Sequence, residues 1–220
     1  EPTAKGELSV GWEKSIPSFP VEKAVAPRNA GFAVMNAIAG SVPELFGGAA
    51  DLTASTKTIF KPGVSFHVDP AGRNVFFGVR ELGMCAAVNG MAAHGGLIPF
   101  GSTFFVFSDY AKPALRIAAL MESHSIFVFT HDSVGVGEDG PTHEPIEHLM
   151  ALRALAQLGW YRLRAERSHF MAKRRGTFAQ RMQINIGRIR DQGICPRSGG
   201  NGECVVLGNA PAANCRYENS

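Results

Sequence analysis

The sequence predicts an α/β fold in which a mostly parallel sheet carries helices on both faces. Short apolar runs alternate along the chain with helical segments of about a dozen residues. The runs are apolar at successive positions, as in residues 125–130 (SIFVFT), so both faces of each strand are expected to be covered. Parallel strands joined by crossover helices account for both observations.

The predicted elements follow a regular order. Apolar residues recur at helical spacing after Arg28 and stop at Gly40, which predicts the first helix. Residues 45–46 predict a short strand that ends at a turn formed by Gly47 and Gly48. Composition predicts further strands at residues 74–80, 97–106 and 125–130, and helices at residues 82–94 and 108–122.

The chain is long enough for one domain and an appendage. Its 220 residues are 45% hydrophobic and 19% charged, as in an ordinary globular protein. We expect the domain at residues 27–155. Residues 1–26 contain several prolines and no helical period, so they are interpreted as a linker or extended arm, while residues 156–220 form a divergent basic tail.

Charge and composition exclude several classes of function. Residues 1–155 contain 11 Lys and Arg against 15 Asp and Glu, whereas residues 156–220 contain 11 against 4, so the main body is not expected to bind nucleic acid. No apolar run is long enough to span a membrane, and the expected location is cytoplasmic. The four cysteines show no C-x-x-C spacing and are interpreted as isolated thiols.

One polar, glycine-rich stretch follows an apolar strand directly. Residues 130–148 (THDSVGVGEDGPTHEPIEH) combine three glycines, whose backbone can approach a ligand closely, with histidines that can transfer protons near neutral pH. The stretch lacks the Gly-Lys-Ser or Gly-Lys-Thr of a P-loop. By itself it indicates an active-site loop, although a simple turn, surface histidines or metal ligands remain alternatives.

This stretch resembles the transketolase signature, and four other segments occur in the same order as in that family. The resemblance covers residues 28–154 and is to the pyrimidine-binding domain; it is closer than the resemblance to deoxyxylulose phosphate synthase or pyruvate dehydrogenase. The four segments are residues 47–53 (GGAADLT), 78–84 (GVRELGM), 101–104 (GSTF) and 107–110 (FSDY).

The resemblance implies a thiamine diphosphate-dependent transferase of the pentose phosphate pathway. Such an enzyme moves a two-carbon ketol unit between phosphorylated ketoses and aldoses, so sugar phosphates are the expected partners. The family holds Mg2+ or Ca2+ through a separate diphosphate-binding domain with a Gly-Asp-Gly motif, which this sequence lacks. A homodimer or a complementary diphosphate-binding subunit is therefore expected, and the chain is interpreted as a fragment or one subunit, inactive alone.

The resemblance also assigns cofactor-binding residues. Glu81 matches the glutamate that hydrogen-bonds the cofactor's pyrimidine ring and favours its imino tautomer. Asp51 matches a residue that lines the cofactor site, and Phe104, Phe107 and Tyr110 match the aromatic residues around the pyrimidine. The alternatives are a helix-start carboxylate for Glu81 and plain core packing for the aromatic residues.

Substrate contacts are implied for five residues. His131 and His143 match catalytic histidines near the reacting carbon, and Asp139 matches a residue that contacts a substrate hydroxyl. Arg28 and Ser55 match positions that bind the sugar phosphate, for which a solvated arginine and a turn serine are the alternatives. Glu81, Phe104, His131 and Asp139 all end or follow predicted strands, where parallel sheets bind ligands.

The resemblance ends near residue 155. A shifted reading frame, a fusion junction or a divergent extension would each explain the tail, and binding of its arginines to a polyanion is an unfavoured alternative. The alternative function for the whole chain is a non-catalytic binding or regulatory module that retains the pyrimidine-domain fold.

Overall fold

The computed structural model describes residues 8–19 and 25–155, together with the backbone of residues 205–207. The sheet has the strand order β2-β1-β3-β4-β5. The first four strands in this order pair in parallel and β5 pairs antiparallel with β4. The strands are β1 (Leu45–Ala49), β2 (Asn74–Phe76), β3 (Ile98–Phe104), β4 (Ile126–Thr130) and β5 (Val205–Leu207).

Helices connect the parallel strands. Their bounds are α1 (Pro27–Ile38), α2 (Thr53–Thr56), α3 (Glu81–His94) and α4 (Ser108–Leu120), with 3-10 turns at Trp12–Ser15 and Phe105–Phe107. Residues 148–155 are also helical. In the described part of the chain, every helix is too short or too polar to cross a membrane.

Apolar side chains are buried on both faces of the sheet, which explains the continuous apolar strands. Phe127 and Phe129 of β4 join one core cluster with the inner sides of α3 and α4. Ile126 and Val128 alternate with them and contact the second cluster, which α1 covers. The α/β class with helices on both faces is therefore confirmed.

Gly47 and Gly48 differ from the prediction, since they lie inside β1 and not in a turn after it. A Cβ at Gly47 would overlap the carbonyl oxygen of Phe100, and one at Gly48 would overlap that of Val75. Glycine is therefore required here because the backbones of the neighbouring strands approach too closely for any side chain.

The segment interpreted as an arm contributes to the core. Trp12 is only 1% exposed and packs with Met35, Ile38 and Phe60 in the cluster beneath α1. The folded part of the chain therefore includes residues 8–19, which precede Pro27. Residues 1–7, 20–24 and most of the predicted tail lie outside the described residues, so the domain boundaries stay predictions.

The strand order places a topological switch point between β1 and β3. In the sheet, β2 lies on one side of β1 and β3 lies on the other. The loops that follow β1 and β3 therefore lead away from each other. Doubly wound sheets bind ligands in the crevice that such divergence opens at the carboxyl edge. Asp51 follows β1 at this edge and Phe104 ends β3.

Candidate active site

Two residues at the carboxyl edge have left-handed backbone conformations that side chains other than glycine rarely adopt. His131, directly after β4, has φ 56°, and Asp51, two residues after β1, has φ 62°. Such conformations cost about 1–3 kcal/mol and cluster at functional sites. At both residues the backbone therefore turns away from the direction of the preceding strand, next to the crevice.

His131 is held by contacts on three sides. Its ring stacks on Phe104 with 3.7 Å between centroids, and Nε2 lies 3.2 Å from Nη1 of Arg28. Nδ1 lies 2.8 Å from Oγ1 of Thr130. Because a guanidinium only donates, Nε2 accepts from Arg28, and in the neutral ring Nδ1 carries the proton and donates to Thr130.

The surroundings of His131 favour the neutral imidazole. Burial lowers the pKa of His131 most, and the positive charge of Arg28 lowers it further. Asp139 opposes this by raising the pKa, and His143 adds a small lowering. A neutral histidine whose Nε2 accepts hydrogen bonds can take a proton from a hydroxyl group once Arg28 moves aside.

Aromatic rings form a continuous wall beside this histidine. Phe104 stacks on Phe107, and Phe107 on Tyr110, each pair with 6.0 Å between centroids. The ring of His143 meets Phe107 edge-on at 5.5 Å and Phe104 at 5.9 Å. Tyr110 is 64% exposed, so the end of the wall is open to a ligand and is not plain core.

The glycine-rich loop brings its second histidine back to the wall. Gly137 and Gly140 have positive φ, and His143 Nδ1 lies 2.8 Å from Oγ1 of Thr142. Asp139 is exposed on the loop and acts on His131 through its charge. The loop thus places one carboxylate and two imidazoles around the same aromatic wall.

Glu81 is a buried carboxylate at the first residue of α3. It is 6% exposed, and no described residue donates a hydrogen bond to its side chain. Burial, with the charge of Glu81, raises the pKa of the Cys85 thiol one turn later to about 12. The carboxylate oxygens themselves are not completely buried, so a ligand can reach them, and a carboxylate accepts hydrogen bonds from N–H groups.

Asp51 and Ser55 are less closely connected to this cluster. Asp51 is exposed, and Ser55 is half-buried in α2 with its backbone N–H bonded to the carbonyl of Leu52. Among the described residues, no hydrogen bond, ion pair or ring contact joins either of them, or Glu81, to His131. The structure thus brings together Arg28, Phe104, Phe107, Tyr110, His131, Asp139 and His143.

Two features of the site were not predicted from the sequence. Thr130 and Thr142 each orient the histidine that follows them, and the repeated Thr-His pair was the signal for this role. Asp109 and His148 form a hydrogen-bonded pair between α4 and the end of the loop. No motif signals that pair, because its members are 39 residues apart.

The fold and this cluster define a doubly wound α/β ligand-binding domain whose crevice carries acid–base side chains against an aromatic wall. Residues 23–182 match the family model described as the pyrimidine-binding domain of transketolase. The chain therefore belongs to the transketolase pyrimidine-binding domain family. The matched range passes residue 155, near which the sequence resemblance was expected to end.

Curated relatives are transketolases. The chain is 59% identical to the transketolase of Geobacillus stearothermophilus over 155 residues, which cover 70% of this chain and 23% of the relative. It is 52% identical to the Bacillus subtilis enzyme over 159 residues, covering 72% and 24%. The chain thus spans about a quarter of the length of these relatives.

Solved structures agree with the sequence matches. The Leishmania mexicana transketolase superimposes with a TM-score of 0.66 at 46% identity, covering 70% of this chain and 23% of that one. A Pichia stipitis transketolase in complex with sedoheptulose 7-phosphate gives 0.66 at 43% identity, covering 69% and 24%.

Proposed function

We propose that this chain supplies the pyrimidine-binding half of a transketolase active site. The complete enzyme transfers a two-carbon ketol unit between phosphorylated ketoses and aldoses with thiamine diphosphate. The observation that carries this proposal is the position of Glu81, a residue only 6% exposed at the start of α3, on a domain whose sheet edge also carries the His131 cluster. Family membership supports the same chemistry.

The residues present fit the pyrimidine end of thiamine diphosphate. Glu81 would accept a hydrogen bond from an N–H group of the pyrimidine ring, and the low exposure of this residue would strengthen the bond by excluding water. Phe104, Phe107 and Tyr110 offer flat surfaces for stacking against the ring. When bound, the cofactor supplies a carbanion equivalent and an electron sink for carbon–carbon bond cleavage.

The histidines act on the substrate's hydroxyl groups. His131, neutral and accepting through Nε2, takes a proton from a sugar hydroxyl, and His143, which contacts the same aromatic wall, serves a second oxygen. Asp139 accepts a hydrogen bond from another hydroxyl and stabilises the protonated form of His131. Proton transfer and substrate orientation thereby come from one loop.

Arg28 and Ser55 bind the sugar phosphate in this proposal. A guanidinium can hold two phosphate oxygens at once, and engagement of phosphate would draw Arg28 away from His131. Ser55, half-buried in α2, is assigned by the family resemblance.

The diphosphate and its Mg2+ or Ca2+ are held by other residues than those of this chain. These 220 residues have no Gly-Asp-Gly motif, so in this proposal the diphosphate-binding domain lies outside them. The pentose phosphate pathway and a cytoplasmic location are part of the same proposal.

The test is reconstitution. The full chain is mixed with a diphosphate-binding domain from the Geobacillus stearothermophilus enzyme, thiamine diphosphate and Mg2+, and turnover of xylulose 5-phosphate with ribose 5-phosphate is measured. Glu81→Gln should lower kcat by about 10²–10⁴-fold, the usual range for losing acid–base assistance. Glu122→Gln, at an exposed residue after α4, is the matched control and should retain full turnover.

The outcome separates this proposal from a non-catalytic module. Turnover that survives Glu81→Gln would reject the assigned mechanism. Binding of the cofactor and partner domain without any turnover would instead favour the binding or regulatory alternative.

A further inference from the structure

A buried histidine ties the end of the glycine-rich loop to α4. His148, the first of the helical residues 148–155, is 3% exposed and packs beside Phe105, with 6.0 Å between ring centroids. Its Nε2 lies 3.0 Å from Oδ2 of Asp109, the second residue of α4. Neither residue belongs to the cluster assigned to cofactor or substrate.

This contact is a polar connection between the end of the loop and α4. The backbone bonds of the loop run from Gly140 to Gly137 and from His143 to Gly140, and its side-chain bonds are equally local. Among the described residues, no other side-chain hydrogen bond joins residues 133–148 to β3 or α4. The loop is thus held at its start by the Arg28–His131 bond and at its end by the Asp109–His148 bond, with the three glycines between them.

The direction of the hydrogen bond follows from the second partner of Asp109. Lys112 donates to Oδ1 of Asp109 over 2.7 Å, and this bond, more than any other cause, lowers the pKa of the carboxyl group. The ionised Asp109 can only accept, so His148 donates through Nε2–H. His148 Nδ1 is buried, and the carboxylate of Glu147 is 3.9 Å away, beyond hydrogen-bonding distance.

A metal site is the competing interpretation of these side chains. Ligand atoms of Asp109, Glu147 and His148 lie within 4.8 Å of one another. However, the Lys112 ammonium already neutralises Asp109, and a cation beside it would be repelled. The cluster is therefore better explained as a structural contact.

The pair lies where it can control the geometry of the aromatic wall. Asp109 stands between Phe107 and Tyr110 in sequence, and His148 comes five residues after His143. The His143 ring meets Phe107 at 5.5 Å, so the loop end is docked on the β3–α4 junction at two points. If the His148 hydrogen bond is lost, the loop end keeps only its ring and apolar contacts, which fix its position less specifically.

We propose that Asp109 and His148 are positioning residues whose hydrogen bond seats the end of the glycine-rich loop and thereby holds His143 against Phe107. The inference rests on the proposed function for its catalytic consequence, since His143 needs a fixed position only if it acts on substrate. Its structural part, the seating of the loop, is independent of catalysis.

The first experiment measures the loop directly in the full chain by hydrogen–deuterium exchange with mass spectrometry. His148→Ala should speed amide exchange of residues 133–147 by about tenfold or more, because an anchored loop opens locally once its anchor is removed. His148→Gln keeps an N–H donor for Asp109 and should restore most of the protection. Arg116→Met, at an exposed residue of α4, is the matched control and should leave loop exchange unchanged.

Variants at the exposed partner guard against loss of folding. Asp109 is 42% exposed, and Asp109→Ala removes the acceptor without opening a cavity in the core. It should reproduce the local effect of His148→Ala, with unchanged exchange in β3 and β4. Loop exchange like that of the wild type in either alanine variant, or equal acceleration throughout the domain, would overturn the proposal.

The second experiment measures kinetics in the reconstituted enzyme. Asp109→Ala should lower kcat by about 10–100-fold, the scale expected when a catalytic group is displaced by about 1 Å, while KM for thiamine diphosphate changes less than about twofold. Equal effects on kcat and on cofactor KM would reject the positioning role. If no sample turns over but loop exchange still responds, the proposed function fails and the seating of the loop stands.

Discussion

Arg28 donates from Nη1 to Nε2 of His131 across 3.2 Å, although the two residues are 103 positions apart in the chain. The bond joins the first turn of α1 to the residue after β4. It sets the tautomer of the histidine and places a positive charge beside a ring that burial already disfavours in its protonated form.

Removing that charge should change the titration of His131. Arg28→Met should raise the pKa of His131 towards its ordinary value of 6.5, because the repulsion between guanidinium and imidazolium is lost. Asp139→Asn should lower it further, because a favourable charge is removed. Titration of the ring carbon protons by NMR measures both shifts, and Arg116→Met serves as the control. A lower pKa in Arg28→Met would contradict the electrostatic account.

His131 should also make stability depend on pH. Its folded pKa lies below 6.5, so its contribution to the free energy of unfolding is complete above pH 6.5 and declines as pH falls through the folded pKa. The unfolded chain binds a proton there that the folded chain does not. Urea unfolding at several pH values between 7.5 and 5 should show a steeper loss for the wild type than for His131→Gln. Equal slopes would show that His131 titrates normally.

The two glycines of β1 offer a test of strand spacing. Gly48→Ala should lower the free energy of unfolding by about 1–3 kcal/mol or more, because its Cβ overlaps the Val75 carbonyl on the paired strand. Gly90→Ala, at an exposed position in α3 with no atom within 4 Å of its Cβ, should stabilise by about 0.5–1 kcal/mol. Urea denaturation of both variants gives the comparison, and a stable Gly48→Ala protein would refute the close strand approach.

Trp12 tests whether the segment before α1 belongs to the folded unit. Trp12→Ala should cost about 3–5 kcal/mol, since a fully buried indole leaves a large cavity. Val10→Ala, at a fully exposed residue of the same segment, should change stability by less than about 0.5 kcal/mol. Chemical denaturation distinguishes them, and equal small effects would mean that residues 8–19 add nothing to the core.

The order of strands and helices could be predicted from the sequence because it is a local property. Apolar runs such as residues 126–130 and the helix after Gly78 are decided by composition within a few residues. The motifs also pointed to His131, His143 and Phe104, which the structure brings into contact. The type of each element and part of the cluster could therefore be predicted, whereas the sequence did not show that Asp51, Ser55 and Glu81 lie without direct polar or ring contact to His131 in the described part of the chain.

Contacts between distant segments could not be predicted in the same way. Burial of Trp12 depends on a pocket formed by α1 and β1, and the need for glycine at Gly48 depends on the path of β2. The Asp109–His148 bond likewise needs α4 and the loop end to be adjacent in space. Each of these is a property of the assembled sheet and leaves no periodic trace in the sequence.

The switch point between β1 and β3 has a consequence for how the site is acquired during folding. Its residues come from segments that begin at Arg28 and end at His143, so no hairpin or single βαβ unit contains them all. Binding of a small molecule in this crevice thus requires the complete tertiary structure. A partly folded intermediate would not bind the molecule.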